Sequence, residues 1–195
     1  AVTGVPLSTR QLVVGRVQSG KTTNFTGVMA LLADNGYRLF VVIGGTTKAL
    51  LQQTKDRLRD DLGDEWFRFF STEDNHATWA DTENQIIQQL HDFETSPGNP
   101  NVQKPKKAIC ITVLKWSAGH LNLLEELFAQ IAKRSFMKEF PVVVIDDECD
   151  TFTPNSNIRN SGEEATAIHR AVSGLIEQVP VCTYLGYTAT PMANE

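Results

Sequence analysis

The stretch "GRVQSGKT", residues 15 to 22, sets Gly15, Gly20, Lys21 and Thr22 at the spacing G-x-x-x-x-G-K-[ST]. Each type answers a physical need. Glycines let backbone amides face an anion without side-chain collision. A helix beginning near Lys21 adds its N-terminal amides and the positive end of its dipole. The spacing predicts a phosphate-binding loop in which Gln18, Ser19 and Thr23 complete the cradle. Lys21 then reaches the β and γ phosphates of ATP, and Thr22 offers a hydroxyl to Mg²⁺.

A phosphate loop needs a carboxylate for its metal, and "VVVIDDECD" (142 to 150) supplies one. Four apolar residues deliver Asp146, Asp147, Glu148 and Asp150 to the C-terminal end of a strand, where open parallel sheets place their ligands. Four carboxylates in five residues repel one another without a cation. Asp147 is assigned to Mg²⁺ and Glu148 to orienting and deprotonating the attacking water, by analogy with phosphoryl-transfer enzymes. A glutamate directly after the metal aspartate favours hydrolysis over small-molecule phosphoryl transfer, which also needs an acceptor site.

The elements that must carry these groups follow from hydrophobic periodicity. Strands are expected at 11–15, 38–45, 66–71, 108–115, 140–147 and 181–188, and helices from Lys21 to about 34 and over 46–62, 118–134 and 162–178. Residues 72–106 are polar, end in "SPGNPNVQKPKK", and read as a long excursion with one helix around 82–93. Wholly apolar strands alternating with helices indicate a parallel sheet covered on both faces. The expectation is a single α/β, three-layer P-loop domain over residues 1–195 with a mainly parallel sheet, which the resemblance given below makes RecA-like.

Composition narrows the class. The chain has 195 residues, 41% hydrophobic and 21% charged, which excludes disordered, collagenous and disulfide-scaffold proteins. Its apolar runs, "LFVVI" and "VVVI", are far short of the ~20 residues of a membrane span. Cys110, Cys149 and Cys182 show no CxxC spacing and read as reduced thiols. With no secretory signal in view, a cytoplasmic protein is expected. The formal charge of −5 means that nucleic acid must be met by a local patch. His76, His91, His120 and His169 lack metal or triad spacing and are expected at the surface or at helix ends.

Taken in order, the motifs resemble those of superfamily-two helicases. Asp147-Glu148-Cys149-Asp150 is similar to motif II, the DExD/H box; "GYTATP" (186 to 191) resembles motif III; and "GGTTKALLQQTKDRL" (44 to 58) occupies the place of motif Ia. More narrowly, "VVGRVQSGKTTNFTG", "QTKDRL", "DDECD" and "YLGYTATPMAN" are similar to the ATPase that carries the Z-one domain, a helicase-like bacterial protein often encoded beside restriction and phage-defence genes. Cys149 stands where that pattern has a small residue.

The resemblance implies an ATP- and Mg²⁺-binding first lobe. It also implies a second RecA-like lobe that brings motifs IV to VI and an arginine finger, and a possible nuclease partner. On this reading the chain is the first lobe of a longer protein. Asp150, Thr188 and Thr190 would couple motif II to motif III.

DNA is the expected polymer, with RNA left open and no membrane contact. Thr46 and Thr47, with Gly44 and Gly45, form one candidate backbone contact, although they also suit a helix cap; Lys115, Trp116 and Ser117 form another, although Trp116 also suits a packing role. Lys104, Lys106 and Lys107 read as a solvated loop. Two alternatives remain: a nucleic-acid-independent P-loop ATPase or kinase, and a nucleotide-dependent switch that recruits a partner.

Overall fold

The computed structural model describes residues 7–15, 20–95, 108–115, 118–134, 141–149, 167–179 and 181–189. Six strands, β1 (Leu7–Val14), β2 (Leu39–Gly44), β3 (Phe67–Ser71), β4 (Ala108–Leu114), β5 (Val142–Asp147) and β6 (Val181–Thr188), form one sheet in the order β1-β6-β5-β2-β4-β3. All five pairings are parallel. Five helices accompany them: α1 (Lys21–Asp34), α2 (Lys48–Leu62), α3 (Trp79–Thr95), α4 (Ala118–Ala132) and α5 (Ala167–Gln178).

Strand order fixes the layers. From β1 through β2 to β3 the chain moves one way across the sheet, and from β3 through β4 and β5 to β6 it moves back. Parallel crossovers are right-handed, so the reversal puts the two sets of helices on opposite faces. The core agrees. Phe25, Met29 and Ala33 of α1 and Leu58 and Leu62 of α2 pack with Phe40, Val42, Cys110, Val143 and Ile145 on one face. Residues of α3, α4 and α5 pack with Leu39, Val41, Ile43, Ile109, Ile111, Val142 and Val144 on the other. The chain is thus an α/β three-layer domain with a parallel sheet, as expected.

Burial on both faces explains why β2, β4 and the first four residues of β5 are almost wholly apolar: Leu39 to Ile43 are fully buried. Each such side chain contributes roughly 1.5–3 kcal/mol of transfer free energy. β1 differs, because it forms an edge of the sheet and leaves Leu12 and Val14 about half exposed.

Two expectations need correction. The excursion after residue 72 is ordered as far as Thr95: a 3₁₀ turn at His76–Thr78 leads into α3, which begins at Trp79 and is longer than the helix expected over 82–93. Trp79 anchors it, with its side chain buried and Nε1 donating to the Leu123 carbonyl at 3.2 Å. Trp66, expected in a buried strand, precedes β3 and is exposed. The set Lys104, Lys106 and Lys107, together with Trp116 and Ser117, lies outside the described residues.

Candidate nucleotide site at the C-terminal edge of the sheet

β1 delivers Gly15 to the C-terminal edge of the sheet, and α1 starts at Lys21. Gly20 precedes it with φ 78° and ψ 26°, a left-handed conformation that glycine adopts at little cost. No side chain caps α1, and its first turn holds no acidic residue. The positive end of this helix is therefore suited to an anion. Lys21 and Thr22 are half-buried, and Thr23 is exposed. Gln18 and Ser19 lie outside the described residues.

Two strands away, β5 ends in Asp146 and Asp147, with β6 between it and β1. Strand alternation sends these two carboxylates to opposite faces. Asp147 continues the Val143 and Ile145 side towards α1, where the charge of Lys21 acts on it. Asp147 nevertheless holds its proton more tightly than an ordinary aspartate, first because it is desolvated and then because Glu148 repels it. Gly44, at the end of β2, leaves this carboxylate room: a Cβ there would stand 3.7 Å from the Asp147 Cβ. β2 and β5 send their following helices to opposite faces, so the crevice between them is the switch point at which open α/β sheets bind ligands.

Glu148 is exposed and has φ 54°, the one positive φ outside glycine among the described residues. Such a conformation costs on the order of 1–3 kcal/mol and persists only where its surroundings enforce it. Its backbone N–H donates to Asp147 Oδ1 at 3.1 Å. Cys149 follows, buried, with its N–H donating to the Tyr187 carbonyl at 2.9 Å. Its sulfur fills the space beside Gly186, where an added Cβ would meet Sγ at 2.9 Å. A small residue at this position is therefore a packing requirement against β6.

Asp146 corrects the picture of four mutually repelling carboxylates. It is fully buried on the other face, its Oδ1 accepts from Lys115 Nζ at 2.6 Å, and its Oδ2 accepts from the Tyr184 hydroxyl at 2.8 Å. Lys115, expected as a nucleic-acid contact, is likewise corrected: it is fully buried, and its ammonium also donates to the carbonyls of Asp147 at 3.2 Å and Glu148 at 2.7 Å. Three donors meet three acceptors inside the protein, so none remains for a phosphate. Tyr184 carried no signal in the sequence, because tyrosine in an apolar strand is ordinary core.

The motif III strand binds both halves of the site. Thr188 is buried, and its carbonyl accepts from the Gly15 N–H at 2.9 Å. The Tyr187 hydroxyl donates to Asn24 Oδ1 of α1 at 2.9 Å. Asp150 and Thr190 lie outside the described residues. Thr47 caps α2 by accepting from the Leu50 N–H at 3.3 Å, and Thr46 is half-buried beside it.

His120 stands in the first turn of α4, at a helix end as expected. It is buried, with Nδ1 3.0 Å from Thr72 Oγ1, and its ring packs near His76. Among the described residues, no group of three or more His, Cys, Asp or Glu is arranged to hold a metal ion. Thr22 and Asp147 provide a hydroxyl and a carboxylate, the hard oxygen donors with which Mg²⁺ is held when phosphates and waters complete its shell.

A family model described as "Type III restriction enzyme, res subunit" (ResIII) matches residues 8–193. The chain belongs to the ResIII family. ResIII is a helicase-like family of restriction systems, in keeping with the order of the motifs around this crevice. The ResIII chain also superposes on a nuclease-deletion mutant of the Type ISP restriction-modification enzyme LlaGI, solved in complex with a DNA substrate mimic, with a TM-score of 0.58 and 18% identity. That likeness covers 94% of this chain and 16% of LlaGI, and it shows a shared fold. Over 88 residues the chain is 31% identical to a carboxypeptidase Y homolog A of Pyrenophora tritici-repentis, a match that covers 44% of this chain and 14% of that protein. The ResIII chain thus spans a small part of either protein. No helix among its described residues is long and apolar enough to cross a membrane.

Proposed function

We propose that this ResIII chain is the ATP-binding and ATP-hydrolysing motor lobe of a DNA translocase in a restriction or phage-defence system, of the kind that carries a Z-one domain. Residues 1–195 form one RecA-like lobe, which works against a second lobe and serves a nuclease. The observation that carries this reading is that one parallel sheet sets Gly20 and Lys21, at the head of α1 after β1, and Asp147, at the end of β5, along the same C-terminal edge, with Glu148 beside Asp147 at φ 54°.

The backbone amides of Gln18, Ser19, Gly20 and Thr23 face the nucleotide phosphates, Gly15, whose N–H is taken by the Thr188 carbonyl, opens the loop, and Lys21 neutralises the β and γ oxygens. Thr22 and Asp147 hold Mg²⁺, which when bound offsets phosphate charge and orients the γ phosphate. Glu148 accepts a proton from the attacking water at its carboxylate. Its exposure gives water access, and its left-handed backbone aims the side chain away from the sheet. Thr188 passes the nucleotide state along β6, with Asp150 and Thr190 as its partners in the same coupling. An arginine from the second lobe stabilises charge in the transition state. Thr46 and Thr47 meet the DNA backbone with hydroxyls and amides, since Lys115 does not.

The test is steady-state ATP hydrolysis by the full-length protein, with and without single- and double-stranded DNA, using Lys21→Ala as the blank. Stimulation by DNA is expected. Turnover indifferent to every nucleic acid would replace the translocase with a nucleic-acid-independent ATPase, and absence of turnover would favour a nucleotide switch.

A further inference from the structure

Lys115 sits at the end of β4, yet its ammonium serves β5, with β2 lying between the two strands. The side chain therefore crosses the end of β2, and the Lys115 N–H donates to the Gly45 carbonyl at 3.3 Å. At its tip, one nitrogen donates to the carbonyls of two successive residues, Asp147 and Glu148, on either side of the Glu148 α-carbon. The relative direction of those carbonyls is set by φ and ψ of Glu148 alone, so one donor shared between them restrains both torsions.

We propose that Lys115 is a positioning residue for hydrolysis: its ammonium holds Glu148 in the left-handed conformation that aims the carboxylate at the attacking water. The inference rests on the reading of Glu148 as the proton acceptor. Asp146 and Tyr184 complete the device. A buried ammonium needs a counter-charge, Asp146 supplies it, and the Tyr184 hydroxyl occupies the second carboxylate oxygen. Stability alone does not require this arrangement, since well-packed apolar residues commonly replace a buried ion pair without loss. Apolar residues cannot hold two carbonyls, and that is the function the ammonium adds.

The test uses the full-length protein. Lys115→Met combined with Asp146→Asn removes both buried charges together and leaves neither unpaired. We expect kcat for ATP hydrolysis to fall on the order of 10- to 100-fold, as a misplaced catalytic group does, while KM and affinity for a fluorescent ATP analogue stay within about twofold. In a Glu148→Gln background the same pair of substitutions should cost nothing further, because the residue it positions is already disabled. Should the paired variant not fold, Lys115→Arg carries the same test: it keeps the charge but replaces the compact ammonium with a planar fork that cannot converge on the three acceptors.

Undiminished kcat in a folded Lys115 variant, or losses that multiply in the Glu148→Gln background, would overturn the positioning role while leaving the motor reading intact. Normal turnover by Glu148→Gln alone would remove Glu148 as proton acceptor and the premise with it.

Discussion

The backbone N–H of Gly15 donates to the carbonyl of Thr188 at 2.9 Å, joining the first residue of the phosphate loop to the last residue of β6. One residue earlier, the Tyr187 carbonyl accepts from Cys149 of the acidic turn. The end of β6 is therefore bonded to both halves of the nucleotide site, and a shift in either is felt by the strand between them.

Lys21→Ala removes the cation proposed to bind the phosphates, whose charge also acts on Asp147. Nucleotide binding, measured by titration of a fluorescent ATP analogue, should become undetectable while the thermal midpoint changes little. Wild-type affinity in this variant would refute the phosphate-loop assignment.

Glu148→Gln keeps the side-chain shape but not the proton acceptor. It should bind ATP with near-normal affinity and lose turnover by a factor on the order of 10² to 10⁴. Trapped nucleotide in rapid-filtration assays would show the stalled state directly.

Gly45 has φ 75°, and a Cβ there would stand 2.5 Å from the backbone nitrogen of Leu51 in α2. Helix backbone cannot retreat as a flexible side chain would. Gly45→Ala should destabilise by at least about 1–3 kcal/mol in chemical denaturation. Gly36→Ala is the control: its φ is 94°, but an added Cβ meets nothing within 4 Å, so only the backbone strain remains.

His120 holds its proton less tightly than its ordinary value of 6.5, chiefly because it is desolvated. Glu73 opposes that shift, while His76 and Lys48 reinforce it. The unfolded chain therefore takes up the proton first as pH falls, and folding stability drops below the unfolded pKa. Denaturation midpoints should decline as pH falls below the ordinary histidine value of 6.5, and His120→Gln should flatten that decline.

Burial raises the Cys110 thiol well above the usual range and pushes Cys182 up to about 11. Thiolate is the reactive form, and Cys149 is also buried. All three should resist a thiol-labelling reagent in the native protein and react once it is unfolded, as peptide mass spectrometry would read.

Much of the fold was legible because wholly apolar strands carry their own signal. β6 falls on the expected residues 181–188, and α2 starts one residue after its Thr47 cap. The region after residue 72 was harder. The helix expected around 82–93 is α3, which runs from Trp79 to Thr95; it buries a narrow line of Trp79, Ile86 and Leu90, and the polar residues around that line blur its ends in sequence. His120 was legible only as a helix-end residue, and the fold alone buries it against Thr72, 48 residues away.

The sequence by itself determined the phosphate loop, the acidic turn and their order along a parallel sheet, because each depends on local residue types and on periodicities of two and about 3.6. It assigned Asp147 rather than Asp146 to the metal by analogy alone. Asp146 and Asp147 are chemically alike and adjacent, and the tertiary structure alone separates them. The pleat turns Asp147 towards Lys21 and Asp146 towards Lys115 and Tyr184, partners 31 and 38 residues away. Lys115 was legible only as a cation after a strand. What it holds depends on β4 lying across β2 from β5, a relation set by strand order in space and absent from order along the chain.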